Sequence, residues 1–311
     1  MNQNKTLGFV FPGQGSQFVG MLNASAQSFP IIEDTFTQAS EILKKDLWAL
    51  AQNGPESLLN STVNTQPILL TAGVALWRLW IAKKGPYPQL LAGHSLGEYT
   101  ALVCAGSLDF ADAVRLVSLR GEFMQEAVPA GVGAMAAVIG VDDKILEEVC
   151  KEAAESEIVS PANYNAVGQT VIAGNVAAVE RASILAKARG AKKIIPLPVS
   201  VPSHCALMKE AANKLAKELS SIKIVPPKLA VIHNVDVDTC DHPDDIRQRL
   251  VEQLYLPVRW VETIQRFSKE GIQSVIECGP GKVLSGLIKR IDPNIKSVGI
   301  EAPSELETAI G

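Results

Sequence analysis

The chain has 311 residues, 47% of them hydrophobic and 20% charged, with 29 basic against 33 acidic side chains and a net charge of −4. That describes a globular protein of one or two domains and excludes the basic footprint of a nucleic-acid binder. The start "MNQNKTLGFVF" lacks a signal-peptide layout, no apolar run reaches bilayer length, and Cys104, Cys150, Cys205, Cys240 and Cys278 are scattered without a C-x-x-C pair, so a reduced, cytoplasmic protein without disulfides, zinc or any other metal is expected.

In chain order, "LGFVF" (7–11) reads as a strand ending in the loop "PGQGSQ". A helical region covers 28–50, and a long helix begins near Thr65 with Pro67 in its first turn, where the missing N–H costs nothing. Leu90, Leu91 and Ala92 form a short buried strand that runs into Gly93-His94-Ser95-Leu96-Gly97 and then an amphipathic helical pattern. "SLDFADAVRLVSLRGEFMQEAV" has Ser107 and Asp109 as N-cap candidates and predicts a helix to residue 127.

The pattern then changes. A strand over 133–141, a helix over 142–156, two strands around Gly168, a helix closed by Gly190 and a strand over 191–199 give β-α-β-β-α-β, the ferredoxin-like order. This module, residues 128–200, interrupts a larger domain made of 1–127 and 201–311, with "PAGVG" and "PLPVSVPS" as hinges. From Ser203 the α/β alternation resumes: a helix to 220, the strand "KLAVIHNV", helices over 244–254 and 259–270, the strand "IQSVIE", a helix in "KVLSGLIKRI" and a strand over 296–300. Such alternation predicts an α/β fold with a mainly parallel sheet covered on both faces.

Ser95 sits in G-x-S-x-G between a strand and a helix, the context of a nucleophile elbow. A serine hydroxyl needs a base. Of the four histidines, His94 reads as packing, His233 as a core histidine in a strand and His242 as solvated, whereas His204 lies where the inserted module rejoins the main domain, at a helix start. No acidic residue between Ser95 and His204 stands out as a third member; either the acid is hidden or a backbone carbonyl orients the histidine. On the 109–127 helix, Ala113, Val117, Arg120 and Met124 share one face, so Arg120 stands in an apolar stripe while Arg115 lies opposite. Two accounts stay open for Arg120: a structural Asp or Glu partner, or a substrate carboxylate held by its fork. The "FPGQGSQ" loop fails as a dinucleotide fingerprint because Phe18 replaces the third glycine, but it can lend a backbone N–H to an oxyanion.

Together, "FVFPGQGSQ", "GHSLGEYTA", "RGEFMQEAVPAGVGAMAAV", "NYNAVGQTVIAG", "VPSHCALM", "QLYLPVRW" and "ECGPGKVL" resemble the malonyl-CoA:acyl carrier protein transacylases of bacterial fatty acid synthesis, over essentially the whole chain. The resemblance implies a hydrolase-like large domain with a ferredoxin-like small one. It implies Ser95 as nucleophile, His204 as base and later acid, and the backbone carbonyl of Gln253 as the group that orients His204. It also implies an oxyanion hole from the N–H groups of Gln14 and Leu96, Arg120 as the clamp for the malonyl carboxylate, and Met124 and Gln169 lining the pocket. Leu256 stands where a polar residue such as Asn is expected, and His233 stands in for another polar residue.

The partners implied are malonyl-CoA and holo acyl carrier protein, with no resident cofactor, nucleic acid or membrane. Carrier proteins are acidic, so Arg189, Lys192, Lys193, Lys289 and Arg290 are candidates for a basic docking rim, against the plain reading of solvated charges. No exposed apolar seam suggests more than a monomer. A serine esterase or thioesterase would explain Ser95 and give Arg120 no task. An acyltransferase serving a polyketide synthase would use the same chemistry for another client. A silent binding scaffold is opposed by the intact Ser95, His204, Arg120 and Gln14.

Overall fold

The structure, a computed structural model, describes residues 3–129, 131–198 and 201–310. Strand β1 (Gln3–Phe11) is exposed in its first half and buried in its second, where it enters the core. Helices α1 (Asn23–Ser28), α2 (Ile31–Leu43), α3 (Leu47–Asn53) and α4 (Glu56–Leu59) follow. Buried Ile32, Thr35, Phe36 and Ala39 give α2 the one-sided spacing of a surface helix. Helix α5 (Thr62–Ala82) is buried on nearly all sides, as a core helix must be when it is apolar all round.

Helix α5 begins before Thr65, and Pro67 is therefore inside it rather than in its first turn. Proline cannot donate to the carbonyl four residues back. The turn before it is secured instead by the Ser61 carbonyl, which accepts from the N–H groups of Asn64 and Thr65 and from Thr65 Oγ1. That turn carries Gln66, which matters below.

Strand β2 (Tyr87–Gly93) leads through the elbow into α6 (Leu96–Cys104), and α7 (Phe110–Ala127) is capped by the Asp109 side chain. Next come β3 (Gly133–Ile139), α8 (Asp143–Ala154), β4 (Val159–Ala166), β5 (Gln169–Asn175), α9 (Val176–Ala188) and β6 (Lys193–Pro196), in the expected β-α-β-β-α-β order. The expected hinges, and the end of the strand expected over 191–199, lie partly outside the described residues. The chain continues with a 3-10 turn (Ala206–Met208), α10 (Lys209–Ser221), β7 (Ala230–Ile232), α11 (Pro243–Glu252), α12 (Trp260–Lys269), β8 (Ser274–Glu277), α13 (Val283–Ile291), β9 (Lys296–Gly299) and α14 (Pro303–Ile310).

Five strands form a parallel sheet in the order β7-β2-β1-β8-β9. Alternation along β1 sends Phe9 and Phe11 to one face and Val10 to the other. Phe9 and Phe11 pack with α2, α5, α6 and α7, and Phe9 meets Trp80 edge-on at 5.1 Å. Val10 packs with Leu90, Val275 and the buried faces of α12 and α13. The other four strands form an antiparallel sheet, β4-β5-β3-β6. On one face of it, Leu146 of α8 and Val179 of α9 pack over Val138 and Ile172. The other presents Met135, Ala137, Val171 and Ala173, and Cys205 packs there, next to His204. Between the two sheets, Val258 donates to the Ala162 carbonyl and accepts from the Tyr164 N–H, each at 2.9 Å.

Candidate active site

β2 ends at Gly93 and α6 begins at Leu96, so His94 and Ser95 make the whole turn. Ser95 has φ 52° and ψ −111°, a strained backbone for a residue with a side chain. The flanking glycines are required by space. A Cβ on Gly93 would fall 1.8 Å from the Gly97 carbonyl carbon, and one on Gly97 would fall 1.9 Å from the Phe11 oxygen. Asn234, after β7, ties the turn down: its Oδ1 accepts from the Ser95 N–H at 2.8 Å and its Nδ2 donates to the Gly93 carbonyl at 2.7 Å.

His204 Nε2 lies 2.8 Å from Ser95 Oγ, and Nδ1 lies 2.7 Å from the Gln253 carbonyl oxygen. A carbonyl only accepts, so Nδ1 carries the proton and Nε2 is left to accept the serine O–H. Both observed partners are the expected ones. Among the described residues no hidden acid takes that place, because Gln253 offers His204 a carbonyl. His204 is not at a helix start; it sits in the loop before the 3-10 turn with φ 61°, its N–H donating to Leu254 O at 3.0 Å. Burial and then the Arg120 charge push its pKa down to about 3, so the ring is neutral at pH 7.

Arg120 lies on α7 in the apolar stripe, with Ala113, Val117 and Met124 buried beside it. Nη1 donates to Gln66 Oε1 at 2.8 Å, and Nη2 donates to Gln253 Oε1 at 3.0 Å and to Ser95 Oγ at 3.3 Å. Nε is buried without a partner, and the guanidinium stands 5.3 Å from the Tyr99 ring centre. Among the described residues no carboxylate pairs with Arg120, so the account by a structural Asp or Glu does not hold. A buried cation held only by neutral groups is costly, and here it faces a cleft.

The cleft encloses about 170 Å³ between the two sheets. Ser95, His204 and Arg120 line it with Met124 and Met135, while Gln14 and Leu96 form part of its wall. Leu96 is the first residue of α6, so its N–H has no partner within the helix. His94 also reaches the cleft, its Nε2 2.8 Å from Asn165 Oδ1 on β4. Among the described residues no cluster of three His, Cys, Asp or Glu side chains could hold a metal, and no helix is long and apolar enough to cross a membrane.

Gln169 departs from expectation: it is not among the lining residues, and its Oε1 accepts from Arg290 Nη1 at 2.5 Å. A residue at the tip of the β4–β5 hairpin reaches α13 more easily than the cleft floor. Arg189 lies against Glu152 at 2.9 Å and Glu148 at 3.9 Å, so its charge is shared, whereas Lys192, Lys193 and Lys289 are exposed. Sequence reasoning missed Gln66 and Glu98. Glu98 is fully buried on α6 and accepts from Gln253 Nε2 and the Asn234 N–H. The available signal was an acidic residue one turn after Ser95 in an otherwise apolar helix. His233 is not within a strand; it follows β7 and its Nδ1 donates to Glu98 Oε1 at 2.8 Å.

Residues 8–297 match the family model for the acyl transferase domain. The chain is 57% identical over 302 residues to the malonyl CoA-acyl carrier protein transacylase of Escherichia coli strain K12, covering 97% of this chain and 98% of that one. Its fold superposes with a TM-score of 0.96 on an acyl carrier protein S-malonyltransferase from Vibrio cholerae, 52% identical, covering 97% and 99% of the two chains. A malonyl-transacylase solved in complex with a type II polyketide acyl-carrier protein gives 0.97 at 54% identity, covering 98% of each chain. With a family match and identity that run through nearly its whole length, the chain belongs to the acyl transferase family, among the malonyl-CoA:acyl carrier protein transacylases, and is an acyltransferase.

Proposed function

We propose that the enzyme carries a malonyl group from malonyl-CoA to the phosphopantetheine thiol of holo acyl carrier protein by a ping-pong cycle through a malonyl ester on Ser95. The observation that carries this is Arg120, a buried guanidinium without a carboxylate partner, 3.3 Å from the hydroxyl that His204 can deprotonate. An acyl group with its own free carboxylate supplies the missing anion, and the fork geometry suits it.

Ser95 Oγ bonds to the thioester carbon as its proton passes to His204 Nε2. The oxyanion is met by the N–H groups of Gln14 and Leu96, each such donor contributing about 3 kcal/mol in the transition state. The carbon–sulfur bond breaks, and the imidazolium returns its proton to the coenzyme A thiolate. The carrier thiol then attacks the ester, with His204 as base and Ser95 as leaving group. Gln253 holds the imidazole through its carbonyl and steadies Arg120 through its side chain, while Met124 limits the depth of the pocket.

This reading needs no resident cofactor, since the coenzyme A thioester is substrate. It places the cleft between a hydrolase-like unit (1–127 and 201–311) and a ferredoxin-like one (128–200). The five free cysteines suit a cytoplasmic enzyme. Lys192, Lys193, Lys289 and Arg290 remain the docking candidates for an acidic carrier, with Arg290 also holding Gln169. A polyketide carrier is the second client to consider, because a relative at 54% identity was solved with one.

The test is intact-protein mass after brief exposure to malonyl-CoA, followed by holo acyl carrier protein, with Ser95→Ala and Arg120→Ala in parallel. The wild type should gain one malonyl group and pass it to the carrier, and Ser95→Ala should gain none. Arg120→Ala should lose malonyl loading while keeping acetyl loading from acetyl-CoA. Free malonate without carrier loading would make the enzyme a thioesterase.

A further inference from the structure

Among the buried ionisable residues that the transfer chemistry leaves unused are two that touch each other beneath the nucleophile. His233 is fully buried, and its partner Glu98 is fully buried one turn after Ser95. A carboxylate at that depth requires either a counter-charge or a dense set of donors. Glu98 has both: His233 Nδ1 on Oε1 at 2.8 Å, and on Oε2 the Gln253 Nε2 at 2.8 Å and the Asn234 N–H at 3.0 Å. The Gln253 amide spans the gap to the arginine, because its Oε1 accepts from Arg120 Nη2 at 3.0 Å. Any charge that Glu98 keeps therefore acts on Arg120 through a single amide group.

We propose that His233 is a positioning residue which, as an imidazolium paired with Glu98, takes up the Glu98 charge and leaves Arg120 free to hold the carboxylate of the incoming acyl group. The inference rests on the malonyl reading above. With a neutral side chain at this position, Glu98 would compensate Arg120 in part before the substrate arrives, and the arginine's preference for a charged acyl group would fall. The pair is enclosed by protein. Glu98 approaches His233 from α6, and Cys240 Sγ lies 3.4 Å from Nε2 on the loop before α11. Beyond that loop, Arg249 of α11 is taken up by Asp236 at 2.6 Å. Burial alone would lower the His233 pKa; the hydrogen bonds to Cys240 and Glu98 and the Glu98 charge outweigh it and raise it to about 9. The proton is thus held at neutral pH.

The experiment is single-turnover acylation of Ser95 by malonyl-CoA and by acetyl-CoA in the full-length enzyme, for the wild type, His233→Asn and His233→Gln. In the variants the second-order rate constant with malonyl-CoA should fall about tenfold, while that with acetyl-CoA stays within about twofold. In the wild type the malonyl rate should decline as pH rises through about 9, and this alkaline limb should vanish in both variants. Equal losses with the two donors would mean that His233 only packs, and would overturn the proposal. So would a malonyl rate that keeps both its size and its alkaline limb. A wild-type enzyme that forms no malonyl adduct would instead refute the underlying reading, a result distinct from either.

Discussion

In the proposed cycle the imidazole of His204 has to be neutral to take the serine proton, and burial and one charged neighbour keep it so. Burial disfavours the charged ring, and Arg120, which shares Ser95 Oγ with it, repels a second cation. On the proposed cycle the pair divides the work: the arginine that suits an anionic acyl group also keeps the base unprotonated before that group arrives. Since the second-order acylation rate reports the free enzyme, it should stay within about twofold between pH 7.5 and 5.5, whereas an ordinary histidine would lose about tenfold over that range. Rapid-quench acylation across pH checks this, and an acid limb near 6.5 would contradict it. Stability carries the same sign. The unfolded imidazole binds a proton below 6.5 that the folded one refuses, so the His204 contribution is full above that pH and is lost as pH falls toward about 3. His233 works in the opposite sense: its contribution is full below 6.5 and is lost as pH rises through about 9.

At the level of elements, the site depends on how closely α5 and α7 approach. Arg120 comes from α7 and Gln66 from the turn of α5 ahead of Pro67, and next to Arg120 stands Gly121. A Cβ on Gly121 would lie 2.9 Å from the Thr62 carbonyl oxygen and from Val63 Cα, both backbone atoms that cannot swing aside. Gly121→Ala would gain about 1 kcal/mol in helix propensity. Against this, forcing the helices apart costs about 1–3 kcal/mol, so a net loss is expected, visible as a lower urea midpoint. Malonyl loading should weaken with it, because Gln66 would retreat from the guanidinium. A variant as stable as the wild type would show that α5 yields freely. The sequence disclosed much of this layout. Alternation and caps located β1, β2, α7 and all six elements of the antiparallel module, since strong periodicity needs little tertiary help. The apolar stripe revealed Arg120, and the Gly-flanked turn revealed Ser95. Sequence could not place the start of α5, because the Ser61 carbonyl and the buried surroundings override the usual rule for proline. Nor could it assign Glu98 and Gln66 their partners, which lie more than fifty positions away in the chain, although an acidic residue one turn after Ser95 already marked Glu98 out. Gln169 misled because a hairpin tip can turn to either of two neighbours.

On the scale of the molecule, the cleft has one wall from each sheet, and its shape depends on how firmly the sheets are joined. Val258 gives and receives a backbone hydrogen bond with β4, and Gly133 has Pro202 against it, where a Cβ would meet Pro202 Cγ at 2.4 Å. The side-chain tie nearest the nucleophile is Asn165 on β4 to His94, whose ring also packs edge-on against Trp260 at 5.4 Å. Backbone pairing together with a part-buried side-chain bond should make the two sheets unfold together. Asn165→Ala tests this because it removes the side-chain tie and leaves the Val258 pairing in place. The half-buried His94 Nε2 then loses its partner, which costs about 1 kcal/mol. If the sheets are coupled, thermal unfolding stays a single transition, and the whole curve moves to lower temperature whether it is followed by helix signal or by tryptophan fluorescence. All four tryptophans (Trp48, Trp77, Trp80 and Trp260) lie outside 128–200, so fluorescence reports chiefly the parallel-sheet unit, with Trp260 also sensing its packing near Ala166 of β4. A helix signal that splits away from the fluorescence curve would mean that the antiparallel module melts independently. The cleft would then be a movable joint, and the backbone bridge at Val258 would be too weak to hold Ser95 opposite its second wall.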